Sequence, residues 1–513
     1  MASGEQSFAS MWSERVAASG NHPFLTFKDA AGTVSEWTYG QFDLWVRDAR
    51  TVLMVNGVTP GDAVHVALRN CPAFVALWLA CATLGALFVP VDPASTEREI
   101  YNQLVQIRPR VGFCGSERET NYRGAASAAQ VKYLLLGESS NDHVQLRNFG
   151  PEQTHERPSP SDRLAVMFTS GTTARPKGVV LTQANYWHVG TEMAKASGLT
   201  PSHRWYVTLP LFHANAQFYC FAPAIAVGAS VALTHRFSAS SWVRDAFELH
   251  VTHASLFAAP IRMILARTPK DSPKLALEHV WFAQSVGALH YEVFSELVGI
   301  RPRQLYGMTE TIAIVSADGK EAPRHDIIGR PAAGRLVQLI DESTGKLAEP
   351  GNPGMIHVAG VPGTSLFLEY LDDPRTTAQS LSADDAGITW LRTGDLAVDV
   401  GGGVFQFVGR SDDVIKVAGE NVSLTEIEAA LAQAPGVLEV AVLGKPDPVR
   451  DVVPVAYVVA RNPANPPSPE GLDAWARDNL VPPARPREWH LISELPRTSV
   501  GKLKRFVIGS DEA

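Results

Sequence analysis

The amino-acid sequence predicts an α/β protein: a large N-terminal domain of layered α/β subdomains with a small β-barrel-like part, then a small α+β domain at the C-terminal end. Three observations carry this. From Thr51 onward, short β-branched runs alternate with longer helical stretches, the runs being Ala63–Leu68, Phe88–Val91, Val111–Cys114, Lys132–Leu136, Leu164–Phe168, Ser230–Leu233 and His253–Phe257. That alternation belongs to α/β layers with mostly parallel strands. After Gly329 the strand-like runs Leu336–Asp341, Gly354–Ala359 and Val404–Val408 are separated by Gly/Pro-rich turns, which predicts an antiparallel, barrel-like piece. Past the turn at Gly409–Asp413 a fresh pattern begins: a short strand, a helix Leu424–Ala434 started by Ser423, then strands Val437–Leu443 and Val453–Val459. Thr425 and Glu428 have the spacing of a capping box in that helix. The expected division is therefore residues 1–409 and 410–513.

Length and composition exclude several classes. At 513 residues the chain exceeds one compact core, and 45% hydrophobic with 19% charged residues is a globular balance. A formal charge of -8 without long single-sign runs provides no footprint for a nucleic-acid backbone. The cysteines Cys71, Cys81, Cys114 and Cys220 show neither CxxC nor Cys/His ligand spacing, so no disulfide framework or zinc site is expected and a cytoplasmic location fits. Residues 1–10 lack the layout of a secretory signal. Ala73–Val91 is apolar and nearly long enough to span a membrane, but Gly85 and Pro90 interrupt it. A buried helix Ala73–Thr83 leading into a buried strand Ala86–Val91 is the expectation, with no membrane span.

The chemistry concentrates in short motifs. Thr169-Ser170-Gly171-Thr172-Thr173-Ala174-Arg175-Pro176-Lys177-Gly178 follows the strand-like Leu164–Phe168. Backbone N–H groups of a glycine-containing turn, four hydroxyls and one lysine suit a triphosphate. The order is not that of the Walker loop, because Gly178 follows Lys177 where Ser or Thr would stand. Further along come Tyr306-Gly307-Met308-Thr309-Glu310-Thr311, Thr393-Gly394-Asp395, Gly409-Arg410-Ser411-Asp412-Asp413 and Pro496-Arg497-Thr498-Ser499-Val500-Gly501-Lys502.

These five motifs, in this order, resemble those of the class I adenylate-forming enzymes, a family of acyl-CoA ligases, aryl-acid ligases, luciferases and peptide-synthetase adenylation domains. The resemblance runs from about Thr38 to Arg505. It implies that Thr169, Ser170, Gly171, Thr172, Thr173 and Lys177 hold phosphate, that Gly287, Tyr306 and Gly307 line the adenine side, and that Asp395 and Arg410 take the ribose. It further implies Thr309 on phosphate, Glu310 as ligand of Mg²⁺, and Lys502 bridging the incoming carboxylate and the α-phosphate. Asp412 falls at the family's hinge, about which a mobile C-terminal domain first delivers Lys502 and then turns Gly419 and Glu420 towards a thiol. His213, in Pro210–Gln217, matches a gate beside the acyl pocket or else packs structurally.

Gly419-Glu420-Asn421-Val422-Ser423 and Phe212-His213-Ala214-Asn215 look most like the ligases that join carnitine-type acids to coenzyme A. The implied activity is an AMP-forming acid–thiol ligase using ATP, Mg²⁺ and CoA, with no tightly bound organic cofactor. Phe212, Phe218, Tyr219, Phe221 and Phe257 are lining candidates for a hydrophobic acid of secondary or fatty-acid metabolism, and are equally candidates for core. A separate carrier protein is the weaker thiol acceptor, and a homodimer is an assembly the resemblance allows. Two departures keep alternatives open: Ala174 with Arg175 stands where glycine is common, and Ser285-Val286-Gly287-Ala288-Leu289 replaces Gly-Gly-Ala-Pro-Leu. A Cβ at 174 removes free access to positive φ. One alternative is an enzyme that only transfers the acyl group from an acyl-adenylate made by a separate adenylating enzyme; another is a catalytically silent nucleotide-binding module.

Overall fold

The computed structural model describes residues 6–139, 156–169, 176–275, 277–319, 321–411, 413–417, 420–447, 451–496, 503, 505 and 508. Four sheets organise them. The first has nine strands, with His253–Phe257 in the middle, flanked by Arg204–Val207, Ser230–Thr234 and Pro23–Lys28 on one side and by His279–Ala283 and Arg303–Tyr306 on the other. Those strands run parallel, and the outer additions Val34–Thr38, Ser316–Ala317 and Arg330–Pro331 are antiparallel. The second sheet has seven strands, with Ala63–Ala67, Leu87–Pro90, Val111–Gly115, Tyr133–Leu136 and Arg163–Thr169 parallel. Lys177–Thr182 and Glu369–Tyr370 close its edge antiparallel. The alternation read from the sequence thus lies where expected, usually within one residue.

Between these sheets sits the helix Pro72–Leu84, all of whose residues are buried. It is apolar all round because it meets packing on every side. Pro72 fits the first turn, where its missing N–H costs nothing, and Gly85 ends the helix at φ +78°. The apolar run of residues 73–91 is therefore a helix followed by the strand Leu87–Pro90. Among the described residues no helix is long and apolar enough to cross a membrane. The N-terminal helix Phe8–Ser19, capped reciprocally by Ser7 and Ser10, stacks Phe8 on Trp78 at 5.1 Å. All four cysteines are buried and none forms a disulfide.

The third sheet is antiparallel throughout: Val337–Asp341, Pro353–Ala359, Thr389–Asp399 and Phe405–Arg410 form its body. The fourth begins at Val414–Val417 and continues through Glu420–Ser423, Val437–Asp447, Asp451–Ala460 and Glu488–Ile492. Its apolar face, with Val440, Val442, Ala456 and Val458, packs on Ile427, Leu431, Leu472 and Ala476 in a core of its own. One expectation needs correcting here. The helix spans Leu424–Leu431 and is capped by Ser423, whose hydroxyl accepts from Glu426 N at 3.3 Å. Thr425 and Glu428 form no capping box, because Ser423 is the capping residue and Thr425 already lies inside the helix. The Glu428 carboxylate instead accepts from Val442 N at 2.8 Å and from Arg505 at 2.5 and 3.0 Å.

Candidate active site

The described parts of the first four motifs sit where a strand ends or where two strands lie side by side. Thr169 and Lys177 are cross-strand partners in the hairpin of Arg163–Thr169 and Lys177–Thr182. The segment Ser170–Arg175, with Gly171, Thr172 and Thr173, lies outside the described residues, but both its ends are fixed by that ladder. Tyr306 ends the strand Arg303–Tyr306, and Gly307 and Met308 lead into a single turn at Thr309–Thr311. The Thr311 hydroxyl accepts from Met308 N at 3.0 Å, tying the turn to its own entry.

Asp395 lies within the long strand Thr389–Asp399, opposite Arg410 on Phe405–Arg410. Cross-strand register, and not a turn, therefore makes these two neighbours; Arg410 Nη1 stands 3.6 Å from Asp395 Oδ1. Gly394, at φ +79°, leaves room beside the guanidinium, since a Cβ there would lie 3.2 Å from Arg410 Nη2. The Tyr306 hydroxyl donates to Asp395 Oδ2 at 2.7 Å. Burial, then the charge of Asp395, holds the Tyr306 phenol far above its ordinary range, so it stays a donor. Tyrosine, aspartate and arginine thus form one unit, joining the first sheet to the third.

A second unit joins the first sheet to the second. Glu310, buried at 5% exposure, accepts from the Tyr370 hydroxyl on Oε1 at 2.9 Å. Lys177 Nζ stands 5.1 Å from the centroid of the Tyr370 ring. Tyr370 belongs to the edge strand Glu369–Tyr370, paired with Val179 across from the phosphate hairpin. Burial and the neighbouring carboxylate raise the Tyr370 phenol, which likewise remains protonated. Glu310 meets one test for a divalent ion: it is a buried carboxylate, a hard oxygen donor of the kind Mg²⁺ takes. Among the described residues no cluster of three or more acidic, histidine or cysteine ligands exists, so any ion there would draw most of its ligands from nucleotide and water.

Tyr370 was not foreseen from sequence, and neither was Arg335. The Arg335 guanidinium donates to the carbonyls of Thr311 at 2.5 Å, Ser365 at 2.9 Å and Ile314 at 3.3 Å. It brackets Ile312, whose φ of +66° is strained for a β-branched residue. Burial lowers the Arg335 pKa to about 10, still well above neutrality. No motif marks either residue; only their contacts do.

The other predicted positions scatter. Gly287, at φ +84°, starts the helix Ala288–Val298, and a Cβ there would come 2.9 Å from Gln433 of the C-terminal region. His213 is half-buried against Phe212, ring centroids 4.3 Å apart, just before the π-helix Asn215–Phe221. Phe218 and Phe221 are fully buried against Tyr186 and Trp78 and belong to the core. Phe212, Tyr219 and Phe257 remain as lining candidates. Lys502, Asp412 and Gly419 lie outside the described residues, and Glu420 is described only as the first residue of the strand Glu420–Ser423, opposite Val417.

Comparison with known proteins agrees with these motifs. The AMP-binding enzyme family model matches residues 12–371, and the model of the AMP-binding enzyme C-terminal domain matches residues 426–502. A crotonobetaine/carnitine–CoA ligase of Salmonella arizonae is 29% identical over 513 residues, covering 98% of both chains. A counterpart from Escherichia coli is 28% identical over 515 residues, again covering 98% of each. The fold matches that of an anthranilate CoA ligase bound to anthranoyl-AMP, with a TM-score of 0.88, 23% identity and coverage of 99% and 97%. An o-succinylbenzoate CoA synthetase of Bacillus subtilis matches with a TM-score of 0.82, 24% identity and 98% coverage of each chain. With a family model spanning most of its length, the chain belongs to the AMP-binding enzyme family, as an adenylate-forming acyl-CoA ligase.

Proposed function

We propose that the enzyme activates a hydrophobic carboxylic acid in two steps. A carboxylate oxygen attacks the α-phosphorus of ATP and pyrophosphate leaves, giving the acyl-adenylate. The CoA sulfur then attacks the acyl carbon, releasing AMP and the thioester. The observation that carries this reading is the pairing of two units, Tyr306–Asp395–Arg410 and Lys177–Tyr370–Glu310, on strands of three sheets. The first suits a nucleoside: Asp395 accepts from the ribose hydroxyls, Arg410 approaches the same sugar, and the Tyr306 ring lies against adenine with Gly287 and Gly307 beside it. The second suits polyphosphate. Thr169 and the hydroxyls of Ser170, Thr172 and Thr173, with the backbone of Gly171, receive the phosphates together with Lys177 and Thr309. Bound Mg²⁺, held by Glu310, would neutralise charge on the departing pyrophosphate.

We assign Lys502 to the adenylation step as a point charge between carboxylate and α-phosphate. The division at 410 and a hinge at Asp412 are supported by the strand Phe405–Arg410 closing one sheet and Val414–Val417 opening the next. Turning about that short connection brings Lys502 in for the first step and Gly419 with Glu420 in for the second, a gating logic that separates two incompatible reactions. Phe212, Tyr219 and Phe257 support an apolar acyl site with His213 as its gate. The four cysteines, none in a disulfide, support a cytoplasmic, reducing setting.

The test is to supply ATP, Mg²⁺ and a panel of hydrophobic acids, follow pyrophosphate, and repeat with CoA and with synthetic acyl-adenylates. Pyrophosphate released from ATP in an acid-dependent manner is the expected result. Thioester formed only from supplied adenylate would replace the proposal with a transfer enzyme dependent on a separate adenylating partner, and no product in any mixture would leave a binding module. Lys502→Ala should abolish adenylation and spare thioester formation; equal loss of both would refute its assignment.

A further inference from the structure

The helix Asn215–Phe221 is of the π type, a rare form that gathers at functional sites. Its first residue carries an anomaly. Asn215 is 6% exposed, and its Nδ2 donates to Ser255 Oγ at 2.9 Å. Its Oδ1 is buried and has no hydrogen-bond partner among the described residues. The neighbouring buried amide shows that this helix can satisfy such groups: Gln217 donates to Leu211 O at 2.7 Å and accepts from the Tyr186 hydroxyl at 2.7 Å. A buried carbonyl oxygen left without a donor forfeits its hydration outright, and such exceptions in a native protein call for an explanation.

Position supplies one. Ser255 lies two residues from the carboxyl end of the strand His253–Phe257, in register with Trp281, as Phe257 is with Ala283. Ligands of open α/β sheets bind beyond the carboxyl ends of the strands. One turn along the same helix, the Tyr219 hydroxyl comes so close to Gly307 that a Cβ there would lie 2.7 Å from it. Tyr219 thus reaches the Tyr306–Glu310 turn from the same helix that carries Asn215, whose partner Ser255 lies near the carboxyl end of its strand.

We propose that Asn215 is a specificity-determining residue: its side-chain oxygen accepts a hydrogen bond from a hydroxyl or amino group on the acyl part of the acid, and Ser255 holds the amide in that orientation. This rests on the ligase reading and narrows the substrate from a hydrophobic acid to one with a single donor on an otherwise apolar body. A site built to pair with a substrate donor rejects the analogue that lacks it far more strongly than an apolar pocket rejects an extra methylene.

The experiment uses pairs of acids that differ only by one hydroxyl or amino group, among them benzoate with its hydroxy- and aminobenzoates and hexanoate with its hydroxyhexanoates. For the full-length enzyme, kcat/KM for CoA thioester formation should favour the donor-bearing member of one pair by about tenfold or more. Asn215→Leu should bring that ratio close to one, and Asn215→Asp should retain a preference for the donor. Ser255→Ala, which only loosens the amide, should lower the ratio and serves if the leucine variant does not fold. An unchanged ratio in Asn215→Leu, or a wild type without preference in any pair, would overturn the proposal and leave a trapped water as the partner of Oδ1. Equilibrium binding of acyl-sulfamoyl adenosines with and without the donor separates this from the ligase reading. Loss of turnover with a retained binding preference refutes only the ligase, and equal binding refutes only the assignment of Asn215.

Discussion

Replacing Arg505 by methionine tests how the C-terminal end is held to its domain. Arg505 Nη1 and Nη2 reach Glu428 at 2.5 and 3.0 Å, Nη1 also donates to Val442 O at 2.8 Å, and Nε stands 3.5 Å from Asp413. The side chains retain 23% and 14% of their exposure, so the pair is largely desolvated. Breaking such a pair from one side costs about 3–5 kcal/mol, and the residual exposure of Arg505 puts the expectation at about 3 kcal/mol. Burial pushes the Glu428 carboxyl up, while Arg505 and Val442 N–H pull it back. Without Arg505 it rises further, and the folded domain then binds a proton that the unfolded chain has released. Stability of the variant is accordingly greatest below the ordinary carboxylate pKa and is lost as pH rises through the folded value. Hydrogen exchange of the strands Val437–Asp447 and Asp451–Ala460, corrected for intrinsic rate, reads this locally. The deficit relative to wild type should be large at pH 7.5 and shrink towards pH 5, and adding Glu428→Gln should recover much of it. A deficit below about 1 kcal/mol, or one independent of pH, would refute the reasoning.

Two further substitutions probe the site. Tyr306→Phe removes the donor from the buried Asp395 carboxylate, a bond to a charged group worth about 1.5–3 kcal/mol, so Tm should fall by the corresponding amount and KM for ATP should rise as Asp395 loses its orientation; an unaltered KM would separate Asp395 from nucleotide binding. Gly307→Ala places a methyl 2.7 Å from the Tyr219 hydroxyl and should lower kcat/KM for the acid, and Tyr219→Phe in the same chain should restore part of the loss. Failure of that rescue would mean the obstruction lies elsewhere.

What the sequence disclosed depended on whether a signal was local. The strand Ala63–Ala67 and the helix Pro72–Leu84 were legible because apolar runs and their Gly and Pro stops are written into consecutive residues. The nucleotide-facing residues were legible as motifs. Asp395 and Arg410, however, acquire their partnership from antiparallel register, and Tyr370 becomes part of the site only because a two-residue edge strand adds to the phosphate hairpin. The Thr425–Glu428 box failed because the helix is capped two residues earlier, by Ser423, which leaves Glu428 to a partner 77 residues away in Arg505.

That register also bears on Ala174 and Arg175. A phosphate loop free at both ends would feel the loss of a glycine mainly through its own φ choices. Here the loop is pinned, with Thr169 and Lys177 opposite each other and Leu371 N donating to Gly178 O at 2.8 Å. Lys177 is placed over Tyr370, and Tyr370 is bonded to Glu310, so the lysine and the carboxylate at the phosphate end are positioned by the sheet edge and not by the loop. The placing of Lys177 and Glu310 therefore does not depend on which residue stands at position 174. A chain that had abandoned adenylation would have no reason to keep a tyrosine that meets the lysine with its ring and the carboxylate with its hydroxyl, and this arrangement favours an enzyme that makes its own acyl-adenylate over one that receives it.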